Sequence, residues 1–216
     1  MSARDSILQR IRRAAATADD GAGETAADRL AQPGARAPVP AQAAAQGADR
    51  LAQFEAKARA TDATLTRLAD WEELPRALAE ELRARNLPAA IRTGTDPAFE
   101  RDWGSVERTV GPGRLSEPAA LSRAALAMAE TGTLVLESGP ENPVTLTFLA
   151  ETHFVALEAA DIRAGFEDMW AEWRRRGNDP RTVNLVTGPS RSADIGQTLQ
   201  LGAHGPVALH IFLIGG

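Results

Sequence analysis

Three short stretches of this chain could do chemistry. The first, Glu130-Thr131-Gly132-Thr133, sets a carboxylate beside two hydroxyls and a glycine turn. That set suits a base, a nucleophile or a ligand for a substrate hydroxyl. The second runs from Thr187 and Gly188 through Pro189, Ser190, Arg191 and Ser192 to Asp194, just beyond the β-like run RTVNLV. Its hydroxyls and single guanidinium can hold a carboxylate or phosphate. If a helix starts there, free N–H groups and the helix dipole add to the attraction for an anion. The third is Ala203-His204-Gly205-Pro206, a turn that displays an imidazole. Each has a plainer reading: Glu130 as a surface residue, Ser190 or Ser192 as a helix cap, and Arg191 paired with an acid.

Other chemistries fall away. A triad of Ser190, His204 and Asp194 lacks the second glycine of G-x-S-x-G and has Pro189 before its serine. His153, His204 and His210 are far apart and show no H-E-x-x-H spacing, so no metal site is expected. The chain has no cysteine, which excludes disulfides, cysteine nucleophiles and thiolate ligation of iron–sulfur clusters. Its one lysine, Lys57, lies outside any G-x-x-x-x-G-K-[ST] string. A net charge of −5 gives no footprint for nucleic acid. No apolar run approaches the ~20 residues of a membrane span, and MSARDSILQRIRR lacks the apolar core of a signal peptide. A cytoplasmic protein is expected.

The elements that must position these stretches follow from periodicity. Residues 1–16 form an amphipathic helix with Ile7, Leu8 and Ile11 on one side, and residues 17–48, rich in Ala, Gly, Pro and Gln, form an arm or linker. Residues 49–216 read as one α/β domain. Helices are expected over ADRLAQFEAKARA, WEELPRALAEELRARN, SEPAALSRAALAMAE (capped by Ser116 and ending at Glu130), DIRAGFEDMWAEWRRRG (capped by Asp161, ended by Gly177) and SADIGQTLQLG. Ile162, Phe166, Met169, Trp170 and Trp173 make the apolar stripe of the fourth. Strands are expected over TLTRL, AAIRTG, VERTVG, TGTLVLES, HFVALEA, RTVNLVTG and VALHIFLIGG, with His210 a core residue and His153 structural. Such alternation implies a parallel sheet covered on both faces, with ligands bound outside the carboxyl ends of the strands.

AETGTLVLESGPENP, LAETHFVALEAADI, NLVTGPSRSADIGQTLQLGAHGPVALHIFLIG and the opening SARDSILQRIR together resemble the lactate-utilization protein C family, the LUD-domain or YkgG-like group. The resemblance implies a three-layer α/β/α sandwich with a mostly parallel sheet, similar to the NagB/RpiA/CoA-transferase group, plus an N-terminal helix and arm. It implies a component of L-lactate oxidation to pyruvate, accessory to iron–sulfur subunits that carry the clusters, and binding a small anionic ligand. The alternative is a small-molecule enzyme of the CoA-transferase or sugar-phosphate isomerase type, with Glu130 as the catalytic carboxylate. On the ligand side the family motifs fall on Thr131, Gly132, Thr133, Thr187, Gly188, Ser190, Arg191, Ser192, Asp194 and His204. Ser192 replaces a threonine, and Gly196 stands where the family has an acid. No cofactor is expected within this chain, no nucleic-acid partner and no membrane span; a homo-oligomer is compatible with the sequence.

Overall fold

The structure is a computed structural model that describes residues 3–18, 39–115, 117–195, 198–201 and 205–216. The chain divides into two compact units, Met1–Val39 and Pro40–Gly216. The first holds α1 (Ala3–Ala18), whose Ile7, Leu8 and Ile11 are all exposed. Most of the expected arm lies outside the described residues. Its last part carries a 3-10 turn, Ala41–Ala43, and the start of α2.

The second unit is built from α2 (Gly47–Ala60), β1 (Thr64–Leu68), α3 (Leu74–Ala84), β2 (Ala90–Thr93), β3 (Glu107–Val110), β4 (Ala119–Arg123), β5 (Leu126–Met128), β6 (Thr133–Glu137), α4 (Val144–Leu149), β7 (Thr152–Glu158), β8 (Ile162–Arg163), α5 (Phe166–Arg176), β9 (Val183–Val186), β10 (Arg191–Ile195), β11 (Thr198–Leu201) and β12 (Ala208–Ile214). Six strands form one sheet in the order β1-β12-β7-β4-β2-β3, every pair parallel. A mixed sheet, β8-β5-β6-β9, and the antiparallel pair β10-β11 complete the set.

Alternate residues of the central strands feed two cores. Phe154, Ala156, Phe212 and Ile214 face α3, whose Leu74, Leu78 and Leu82 recur every four residues. Val155, Leu157, Ile211 and Leu213 face Phe54 and Ala58 of α2 and Leu134 and Leu136 of β6. The mixed sheet therefore shares the second face with a helix, and α5 covers its far side through Met169, Trp170 and Trp173. Each fully buried Leu or Phe contributes about 1.5–3 kcal/mol. The expected α/β architecture with a mostly parallel sheet is present.

Three expected helices are corrected. Within SEPAALSRAALAMAE, Ala119–Arg123 and Leu126–Met128 are the strands β4 and β5, not a helix, and the expected cap Ser116 lies outside the described residues. β4 is buried on both faces, so its apolar residues show no alternation, and its alanines mimic a helix former. SADIGQTLQLG forms the hairpin strands β10 and β11, with Ser192 opposite Gln200. Residues 196 and 197 lie outside the described residues. DIRAGFEDMWAEWRRRG begins as strand β8, so Ile162 pairs in a sheet and Asp161 caps nothing; it binds Arg176 instead. α5 starts after Gly165 and ends, as expected, on left-handed Gly177.

Candidate functional site

The two expected turns do meet. Thr133 Oγ1 lies 2.7 Å from Thr131 Oγ1 and 2.7 Å from Thr187 Oγ1, a hydroxyl chain joining the ETGT turn to the TGPS turn. Both turns press on the C-terminal end of α2. A Cβ on Gly132 would stand 2.4 Å from the Ala58 nitrogen, and one on Gly188 would stand 2.1 Å from the Thr61 carbonyl oxygen. Both glycines have positive φ, 71° and 73°. Only glycine satisfies both demands at once.

The third turn joins them. Ser190 N–H donates to the Pro206 carbonyl at 2.9 Å. Beside the second and third segments lies a cavity of about 210 Å³, walled by Thr187–Ser190, Gly205, Pro206, Leu185, Val186 and Leu209, and by Thr147, Phe148 and His153; the expected Thr131, Gly132 and Thr133 are not on its wall. His153 and Leu209 are the second residues of β7 and β12. The cavity therefore sits at the amino ends of the parallel strands, not at the carboxyl ends where the βαβ pattern placed it. No helix starts at Ser190, because β10 follows; the helix-dipole part of the expected anion cradle has no basis.

Two buried polar groups border this cavity without partners. His153 is fully buried; its Nε2 is 3.0 Å from Ser122 Oγ, and its Nδ1 has no hydrogen bond. Burial pushes its pKa down to about 3, so the imidazole is neutral near pH 7. Thr147 Oγ1 is likewise buried and unpaired. A buried polar group left unmatched costs about 1–3 kcal/mol, which a ligand would recover. Sequence reading treated His153 as structural and passed over Thr147; α4, which presents Thr147, carries too short a pattern to stand out.

The remaining expected residues are placed elsewhere or lie outside the description. Arg191 is paired with Asp62, just past α2, and does not line the cavity. The Ser192 and Asp194 side chains and all of His204 fall outside the described residues. Glu130 follows β5 rather than ending a helix, and it too lies away from the cavity. Its Oε1 accepts the Phe166 N–H at 2.9 Å, and its own N–H donates to the Ala164 carbonyl at 3.0 Å. The carboxylate thus tethers the start of α5, where the helix dipole favours negative charge. Among the described residues no group of three or more His, Asp or Glu is placed to hold a metal, and no helix is long and apolar enough to cross a membrane.

Comparison with known proteins finds likeness over the part of the chain that holds this site. Residues 115–214, which hold both turns and the cavity walls, match the LUD domain. Just under half of the chain thus carries the LUD-domain match. An uncharacterized protein of Neisseria meningitidis serogroup B is 39% identical over 97 residues, 44% of this chain and 42% of that one. Lactate utilization protein C of Anoxybacillus flavithermus is 35% identical over 82 residues, 38% of this chain and 37% of that one. The chain therefore spans about two fifths of the length of these relatives. Lactate utilization protein C of Halalkalibacterium halodurans aligns further, at 28% identity over 68% of this chain and 70% of that one. Among solved structures, a DUF162 family protein from Deinococcus radiodurans superposes with a TM-score of 0.56 at 21% identity, covering 78% of this chain and 98% of that chain. At that identity the likeness shows a shared fold alone.

Proposed function

We propose that this protein is the LUD-domain component of a lactate-utilization system, and that the Thr187–Ser190 cavity binds a small carboxylic acid of the lactate or pyruvate kind. The observation that carries the reading is His153, a fully buried neutral imidazole with a free Nδ1 beside a cavity of about 210 Å³. When Ser122 Oγ donates to Nε2, Nδ1 carries the proton and offers a donor. Ser190, Thr187 and Thr147 add hydroxyls, a donor set for a carboxylate. Phe148, Leu185 and Leu209 supply apolar walls for a methyl group.

The relatives named lactate utilization protein C support the system to which this component belongs. With no cysteine in the chain, thiolate-held iron–sulfur clusters would reside on partner subunits, and this chain would bind ligand beside them.

Calorimetry with L-lactate and pyruvate, with lactamide as the uncharged control, tests the ligand. We expect either acid to bind and lactamide to bind less well. Ser190→Ala or Thr147→Val should weaken acid binding about ten- to a hundredfold, the loss of one hydrogen bond to a charged group. Arg191→Ala, whose guanidinium is paired with Asp62 and off the cavity wall, should change it less than twofold. Failure of both acids to bind, or binding indifferent to Ser190 and Thr147, would overturn the assignment. Co-purification with cluster-bearing subunits tests the component role; undiminished lactate oxidation without this chain would refute it.

A further inference from the structure

A second cleft, of about 400 Å³, opens at the other end of the six-stranded sheet. Thr95 and Asp96 follow β2, Arg123 ends β4 and Asp161 follows β7, so it lies at the carboxyl ends of the parallel strands. Its remaining wall is the loop Glu137–Asn142, the SGPEN stretch after β6, together with Arg176 and Asn178. The loop is held tightly. Thr95 N–H donates to the Pro140 carbonyl at 3.0 Å, and a Cβ on Gly94 would stand 1.9 Å from the Glu141 carbonyl oxygen. Open sheets of this kind bind ligands at the carboxyl ends of their strands.

The charges of this cleft do not balance. Four carboxylates (Asp96, Glu137, Glu141, Asp161) face two guanidiniums (Arg123, Arg176), a difference of two negative charges. Both guanidiniums are already matched. Arg123 binds Glu158 at 2.6 Å and approaches Asp96 at 4.0 Å; Arg176 binds Asp161 at 2.5 Å and Glu172 at 3.0 Å. Neither Glu137 nor Glu141 has an ion-pair partner among the described residues. Glu137 Oε2 accepts from Asn178 Nδ2 at 2.9 Å, whereas its Oε1 is buried with no partner.

Asn142 points the same way independently. It is more than nine-tenths buried, and its Nδ2 donates to the Glu137 carbonyl at 3.0 Å. That bond fixes the amide's orientation and leaves Oδ1 as a second buried acceptor without a donor. A cleft with two orphaned acceptors and two unmatched carboxylates needs hydrogen-bond donors that carry positive charge.

We infer that this cleft binds a small aliphatic amine in its ammonium form, with one ammonium at Glu137 and Asn142 and a second charge compensating Glu141. The site is separate from the carboxylic-acid cavity, so either can fail without the other. The probe is 1,4-diaminobutane, followed by amide chemical-shift mapping and calorimetry on the full chain. Controls are 1,4-butanediol, with donors of the same reach but no charge, and glutarate, with the opposite charge.

Shifts concentrated at residues 94–96 and 137–142 with the diamine, and neither control matching its affinity, are expected. Glu137→Gln should weaken diamine binding about tenfold or more, the scale of a charge-assisted hydrogen bond. Exposed Glu141→Gln, which leaves the buried packing untouched, should weaken it about two- to threefold, as screened surface charges do. Equal binding of butanediol, binding of glutarate, shifts outside this loop, or diamine affinity unchanged in Glu141→Gln would each overturn the inference.

Discussion

The two clefts occupy opposite ends of one parallel sheet and are built from opposite materials. The cavity at the amino ends is walled by hydroxyls, apolar side chains and one neutral imidazole, with no charged residue among the described residues of its wall. The cleft at the carboxyl ends is walled by four carboxylates and two guanidiniums. The first leaves a histidine nitrogen and a threonine hydroxyl unmatched; the second leaves two acceptor oxygens unmatched. What each end lacks differs in sign: a molecule that accepts at one end, a molecule that donates at the other. On the two proposals above, an acid and an amine would not compete for one site.

The sharpest way to separate the two ends is through their glycines. Gly188 is held at φ 73° with the Thr61 carbonyl where a Cβ would go, whereas a Cβ on Gly139, in the carboxyl-end loop, meets nothing within 4 Å. Gly188→Ala should cost about 3 kcal/mol or more, from left-handed strain plus displacement of α2, and should abolish binding in the amino-end cavity. Gly139→Ala should stay within about 0.5 kcal/mol of the parent. Thermal or denaturant unfolding of the two variants checks both, and equal losses would show that the two ends are not built differently.

Acid titration distinguishes them next. His153 belongs to the amino-end cavity and His210 to the core between β12 and α3. Burial depresses both to about 3, aided at His210 by the Arg85 guanidinium. Their unfolded values lie near 6.5, so between about pH 6.5 and 3 the unfolded chain binds protons that the folded chain refuses. Stability contributed by the neutral imidazoles is complete above about pH 6.5 and falls as the pH drops, by about 1.4 kcal/mol per pH unit for each histidine. Denaturant unfolding from pH 7 to pH 4 should show this slope, and His153→Asn should remove about half of it. A pH-independent stability across that range would mean that the cavity histidine is not buried as described.

Much of this was legible in the residues. The parallel strands, α2, α3 and the Gly177 stop follow from periodicity and turn chemistry, and the ETGT and TGPS turns converge as their glycines and hydroxyls suggest. Strand β4 was not legible, because a strand buried on both faces loses its alternation and alanine favours helix in isolation. The hairpin β10-β11 was misread because Ile195 and Leu199, four residues apart, also fit a helical spacing. The role of His153 depends on a partner, Ser122, 31 residues away, and on a cavity assembled from three separate segments; no local pattern encodes it. Nor does any pattern say that Glu130 spends its carboxylate on the Phe166 N–H, 36 residues away.

The smallest expected effect is also the cleanest comparison of carboxylates. Glu130 and Glu137 flank β6, and α5 runs between their partners: Glu130 tethers Phe166 at its start, and Glu137 reaches Asn178 just past its end. At the start of a helix a negative charge is favourable by about 0.3–1 kcal/mol, so Glu130→Gln keeps the acceptor, loses the charge and should lower stability by that amount. Glu137 has no such compensation while its cleft is empty. Glu137→Gln should therefore leave stability unchanged or raise it slightly, because it removes a carboxylate that no cation matches. Thermal unfolding of the two isosteric variants, without ligand and at low salt, should give shifts of opposite sign or of clearly unequal size. If Glu137→Gln is the more destabilising, the carboxyl-end cleft is already electrostatically satisfied, and the case for an ammonium ligand there is lost.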